Sequence, residues 1–132
     1  MNLLLDTHVL LWWTLREGKL TKPQTEALER AEADEIRLHI SAISLWETAK
    51  LVELGRIVLN VSPDVFFDEI ESAAQIQILP ISARVALEST RLGSDFHKDP
   101  ADQIIVATAR VHGLRLVTCD ERILRSRLVS VV

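Results

Sequence analysis

Tyrosine is missing from this 132-residue sequence, cysteine occurs once, and glycine and proline occur four times each. The shortage of cysteine is the most informative. A lone cysteine, Cys119, builds no internal disulfide framework and no cysteine-rich zinc site. The four histidines, His8, His39, His97 and His112, stand far apart in the chain and announce no histidine metal cluster. No apolar run approaches the roughly 18 residues of a membrane-spanning helix. The opening Met1-Asn2-Leu3-Leu4-Leu5-Asp6 has no basic leader and meets a carboxylate at once. No signal peptide is expected, and the expected compartment is the cytoplasm.

What the sequence does have is aliphatic bulk. Hydrophobic residues make up 48% and charged residues 26%, which is a globular composition rather than a disordered one. The length predicts one domain, residues 1–132, able to bury a full core without staples. The net charge of −4 is unevenly spread. Residues 1–83 hold seven basic and thirteen acidic side chains, whereas residues 84–132 hold eight basic and six acidic. The weakly basic second part is compatible with a polyanionic partner.

Short apolar runs alternate with stretches of helical period. Strands are predicted at Asn2–Leu5, Ile36–Ile40, Ile76–Leu79 and Leu114–Thr118, with a last one at Leu128–Val131. Helices are predicted at Val9–Leu15, Lys22–Ala33, Ser44–Leu54, Pro63–Ala73, Ala83–Leu92 and Pro100–His112. Their start and stop signals include Thr21 before Pro23, Asp99 before Pro100, Gly93 and Gly113. Strands separated by helices imply an α/β domain with a parallel sheet covered on both faces.

Ligands of open parallel sheets bind at the carboxyl ends of the strands. Asp6 ends the first strand, and Asp120 follows the Leu114–Thr118 strand. Glu47 and Asp102 fall in the first turns of two helices. Four ionised carboxylates brought together repel one another unless a hard cation neutralises them. Carboxylates without cysteine or histidine suit Mg²⁺ or Mn²⁺, and such an ion suits phosphodiester hydrolysis. A second reading exists for each. Glu47 stands three residues after Ser44, a capping-box spacing, and Asp102 three after Asp99. Asp120 could be a turn residue before a short helix. Asp6, directly after a buried strand, requires a partner.

The segments around these acids are distinctive. Leu3-Leu4-Leu5-Asp6-Thr7-His8-Val9-Leu10-Leu11-Trp12-Trp13 resembles the start of PIN-domain proteins, in particular VapC-type toxins of type II toxin–antitoxin pairs. So do Ser41-Ala42-Ile43-Ser44-Leu45-Trp46-Glu47, His97-Lys98-Asp99-Pro100-Ala101-Asp102-Gln103-Ile104-Ile105-Val106-Ala107-Thr108-Ala109 and Leu116-Val117-Thr118-Cys119-Asp120, in the same order. The resemblance implies a PIN-like α/β/α sandwich with a central parallel sheet of about five strands. It implies a Mg²⁺- or Mn²⁺-dependent endoribonuclease with Asp6, Glu47, Asp102 and Asp120 as catalytic, metal-binding residues. Asp6 and Asp102 would be the most direct ligands, with Thr7, Ser41, Thr118 and Asp99 in supporting positions. It also implies an RNA substrate, a cognate antitoxin and a homodimer. One departure is the short C-terminal Arg127–Val132 segment, which lacks an aromatic residue.

The expected reaction is attack of water on phosphorus, leaving 5′-phosphate and 3′-hydroxyl ends. Lys98, Arg110, Arg115, Arg122, Arg125 and Arg127 are candidate phosphate contacts. Trp12, Trp13 and Trp46 fit a core or interface role better than base stacking, and His8 a packed one. One alternative is a Mg²⁺-binding phosphoryl-transfer or phospho-switch protein. The sequence lacks its signals, because His8 stands where a second aspartate would be and no lysine follows Thr118. The other is a PIN-like RNA-binding module without catalysis, against which the complete acid set argues.

Overall fold

The computed structural model describes residues 2–132. The chain runs β1 (Leu3–Leu5), α1 (Thr7–Thr14), α2 (Lys22–Ala33), β2 (Leu38–Ser41), α3 (Ala42–Glu53) and α4 (Pro63–Ser72). It continues through β3 (Ile76–Leu79), α5 (Ala83–Ser89), α6 (Pro100–His112), β4 (Arg115–Val117) and α7 (Glu121–Ser126). The four strands are parallel and lie in the order β3-β2-β1-β4. Successive strands thus step outward from β1 on one side, and the last returns to its other side. The β1/β4 boundary is a topological switch point, where the connections leave a crevice at the carboxyl ends.

Alternation along the strands divides the core between the two faces of the sheet. Leu3, Leu5, Leu38, Ile40 and Val117 pack in one cluster with Val9, Leu11, Leu28 and Phe66. Leu4 and Leu116, paired across β1 and β4, join the other cluster with Ile105, Val106 and Ile123. Leu4 is completely buried. Truncating it to alanine is expected to cost about 2–5 kcal/mol.

Caps set the helix ends that frame the crevice. The expected ranges of α2 and α6 coincide with those observed. Thr21 and Gln24 form a reciprocal capping box on α2. Gly113, at φ 65° and ψ 37°, ends α6 in the left-handed region where glycine is favoured. α1 and α3 start two residues earlier than expected, because Asp6 and Ser41 serve as their N-caps. α5 stops at Ser89 rather than at Leu92. There the Ser89 and Thr90 hydroxyls bond back to the Ala86 and Leu87 carbonyls, and Leu92 leaves the helix to join the core.

The sheet has four strands rather than about five, and the expected strand Leu128–Val131 shrinks to one parallel bridge between Leu116 and Val131. Arg127 turns the chain through the left-handed region, and Arg110 Nη1 holds the Leu128 carbonyl at 2.8 Å. With that carbonyl engaged, pairing starts only where Leu116 N donates to the Ser130 carbonyl. Among the described residues no helix is long and apolar enough to cross a membrane.

Candidate active site

Asp6 leaves β1 as the N-cap of α1, with its carboxylate accepting from the His8 amide at 3.2 Å. Its other oxygen accepts from Thr118 Oγ1 at 2.6 Å, and Thr118 Oγ1 accepts from the Asp120 amide at 3.0 Å. Thr118, at the end of β4, is buried, and its carbonyl accepts from Gln24 Nε2 at 3.0 Å. One hydroxyl therefore joins the ends of two neighbouring strands to the acid between them. Asp6 itself is only 6% exposed.

The other acids arrive from α3, α6 and α7. Glu47 is not part of a capping box, because Ser44 lies inside α3 and Ser41 caps it. Glu47 Oε1 accepts instead from Thr7 Oγ1 at 2.5 Å, and Thr7 Oγ1 lies 2.9 Å from Ser44 Oγ. Asp102 is 8% exposed, and its Oδ2 lies 2.7 Å from His97 Nε2. Asp99 caps α6, its carboxylate accepting from the Ala101 and Asp102 amides. Asp120 caps α7 and also meets Arg122 Nη2 at 3.3 Å, while the same nitrogen lies 3.6 Å from Asp102 Oδ2. Asp120 is both the turn residue and a member of the cluster.

All four acids line one depression of about 260 Å³, shared with His8, Trp12, Asp99, Cys119 and Arg122. No lysine lines it among the described residues. Of the supporting positions, Thr7 and Thr118 touch the acids directly, whereas Ser41 acts as the α3 cap. Arg110 and Arg115 are committed elsewhere, to Glu88 and Leu128 and to Val131. His8 is exposed at the rim rather than packed, and its ring lies 6.0 Å from that of Trp12. Cys119 is half-buried, with Sγ 3.3 Å from Gln24 Oε1.

Burial pushes the carboxyls of Asp6, Glu47 and Asp102 above their ordinary values, and the neighbouring acids add to the shift. Burial also opposes ionisation of Asp120, but the Ile123 amide and the Arg122 guanidinium outweigh it and hold this carboxyl low. His97, Asp102 and Asp120 offer ligand atoms within 4.8 Å of one another. At an effective dielectric of about 20, two full charges that close repel by roughly 3 kcal/mol. Carboxylates lining one depression in this way fit a hard divalent cation, which would remove both the repulsion and the burial penalty. His97 stands far from the other histidines in the chain, yet it joins the acids and adds a nitrogen to the donor set expected to hold carboxylates alone. Its signal was local: it precedes Asp102 by five residues, across the turn that Asp99 caps.

The chain matches the PIN domain family model over residues 3–127. It is 37% identical over 122 residues to Ribonuclease VapC22 of Mycobacterium tuberculosis (strain ATCC 25618 / H37Rv), spanning 92% of this chain and 89% of that protein. Among solved structures it is similar in fold to a DNA-bound VapBC from Salmonella typhimurium. The TM-score is 0.72 at 19% identity, covering 100% of this chain and 97% of the other. A second is VapBC2 from Rickettsia felis bound to a promoter DNA fragment, with TM-score 0.69, 16% identity and coverage of 100% and 98%.

Proposed function

Because this chain belongs to the PIN domain family, we propose that it is a metal-dependent endoribonuclease, the toxin of a toxin–antitoxin pair. The observation that carries this reading is the buried Asp6 carboxylate, tied to Thr118 at the switch point and facing Glu47, Asp102 and Asp120 in one depression. The 37%-identical relative is a ribonuclease, and the solved structures of similar fold are VapBC assemblies with DNA. They support RNA as the substrate class and an antitoxin as the partner. Residues 1–132 act as one domain, a homodimer is expected, and the cytoplasm is the expected compartment.

Asp6 and Asp102 would hold Mg²⁺ or Mn²⁺, with Glu47 and Asp120 completing the set directly or through water. The bound ion would supply charge stabilisation at the phosphate and a water of lowered pKa. Thr118 fixes the orientation of Asp6 by its hydroxyl bond, and Thr7 does the same for Glu47. Such outer bonds keep ligand carboxylates in one rotamer without using their full coordinating capacity. The acids bind and orient the reacting water and shield it from bulk solvent, while the RNA phosphate supplies the electrophile. The products are 5′-phosphate and 3′-hydroxyl ends.

The test is cleavage of a mixed small-RNA pool by protein freed of any partner, with Mg²⁺, Mn²⁺ or EDTA, beside Asp6→Asn prepared identically. Cutting that requires metal and vanishes in the variant supports the assignment. Equal cutting by the variant, or 2′,3′-cyclic phosphate ends, would overturn it.

A further inference from the structure

We propose that Arg122 and Arg125 bind the RNA phosphate next to the scissile one. In the metal-free protein Arg122 is parked on the cation-binding carboxylates and is released when the ion arrives. The proposal rests on the ribonuclease reading above and extends it by giving the substrate a path.

Arg122 is the only described residue, besides His97 through its contact with Asp102, that joins the acidic depression to its neighbour. That neighbour is a groove of about 460 Å³ between the 92–97 loop and α7. Arg122 lines both. Arg125 lines the groove, one helical turn further along the same face of α7. Phe96, His97 and Leu128 supply its less polar wall, and Asp95 is the carboxylate on its rim. Its volume falls in the range of roughly 300–1,000 Å³ that small organic ligands occupy, which admits a nucleotide.

The guanidinium side chain is 54% exposed, and nothing but Asp120 and Asp102 holds it in the contacts described for it. A divalent cation on the same two carboxylates competes with it directly, since like charges repel and the oxygens are shared. Once displaced, the side chain has the groove and Arg125 beside it. A planar fork of donors matches a phosphate bidentately, and a pair of such forks tracks a backbone better than one. Arg110 and Arg115 are committed to protein partners, which leaves the α7 arginines best placed to serve RNA at this edge.

The competition gives a signature of opposite signs. Arg122→Gln is expected to tighten Mn²⁺ binding several-fold by calorimetry, because a competing positive charge is gone. In a Glu47→Gln background with Mn²⁺ present, which slows cleavage and leaves Asp6, Asp102 and Asp120 to hold the ion, the same change is expected to weaken a short mixed-sequence fluorescent RNA about tenfold. The slope of log affinity against log salt should fall by about one. Arg125→Gln should weaken RNA and leave Mn²⁺ binding unchanged. Arg122→Lys should keep the salt slope and lose part of the affinity, since charge remains and the fork does not. If Arg122→Gln weakens metal and RNA together, or leaves the salt slope unchanged while the native chain still cuts RNA, the groove is not on the RNA path and the ribonuclease reading survives. If the native chain neither binds nor cuts RNA, both readings fall.

Discussion

Two depressions lie at opposite ends of the same sheet, and both are rich in charge. At the amino ends of the strands, near Leu3 and Arg115, a hollow of about 520 Å³ is lined by Glu26, Arg30 and Asp34. Its acids are exposed and stand among arginines. At the carboxyl ends the hollow is half that size, and its acids come from four different elements. Two of them, Asp6 and Asp102, are buried. Charge alone does not separate the two ends; desolvation does, since the guanidinium that lines the acidic hollow, Arg122, is exposed and meets Asp120 and Asp102 rather than the buried Asp6. A solvated carboxylate costs the fold little, whereas a buried one must be justified by something the site binds.

The largest contrast is expected in activity. Asp102→Asn should lower metal-dependent RNA cleavage by a hundredfold or more, the equivalent of a few kcal/mol at the transition state. Asp34→Asn, at the other end, should leave the rate unchanged. Comparable losses in both variants, measured as kcat/KM on one RNA, would erase the distinction between the two hollows.

A smaller effect isolates the threonines from the acids they touch. Thr118→Val keeps the buried volume but removes the bonds to Asp6 and to the Asp120 amide. A loss of about 10–100-fold in metal affinity or activity is expected, with folding intact. Full activity in this variant would show that the strand ends alone position Asp6.

Much of this arrangement was legible because its signals are local. Thr21 with Pro23 marked α2, and Asp99, Pro100 and Gly113 marked α6, since caps act within a turn. Asp6 and Asp120 lie just beyond β1 and β4 in one depression, and the strand pattern alone implies that position. What stayed hidden depends on contacts between distant segments. Thr118 reaches Asp6 across 112 positions, and Gln24 reaches Thr118 across 94. Glu47 had two readings until Thr7, 40 residues earlier, was seen beside it. The missing fifth strand has the same origin: Arg110, in α6, takes the Leu128 carbonyl that a ladder would have used.

The smallest effect is in stability, and its sign follows from burial. Asp6, Glu47 and Asp102 have native carboxyl pKa values raised above 3.8, 4.5 and 3.8, so in that range the native state binds more protons than the unfolded chain. Stability from these groups is fully present below the ordinary values and is lost as pH rises through the native ones. Asp120, held low, acts oppositely, and its contribution is lost as pH falls. With three groups against one, the Tm of metal-free protein in EDTA should fall by a few degrees as pH rises through this interval. Roughly 1 kcal/mol moves Tm by that much in a domain of this length. Asp6→Asn should flatten the dependence and raise the neutral-pH Tm, while Asp34→Asn should track the native curve. Added Mn²⁺ should recover the native Tm at neutral pH and do little for Asp6→Asn. Should Asp6→Asn instead melt lower in EDTA, the bonds from Thr118 and the His8 amide outweigh the burial penalty. Asp6 would then be a stabilising cap like Asp99, and the two ends of the sheet would differ in shape rather than in stored electrostatic cost.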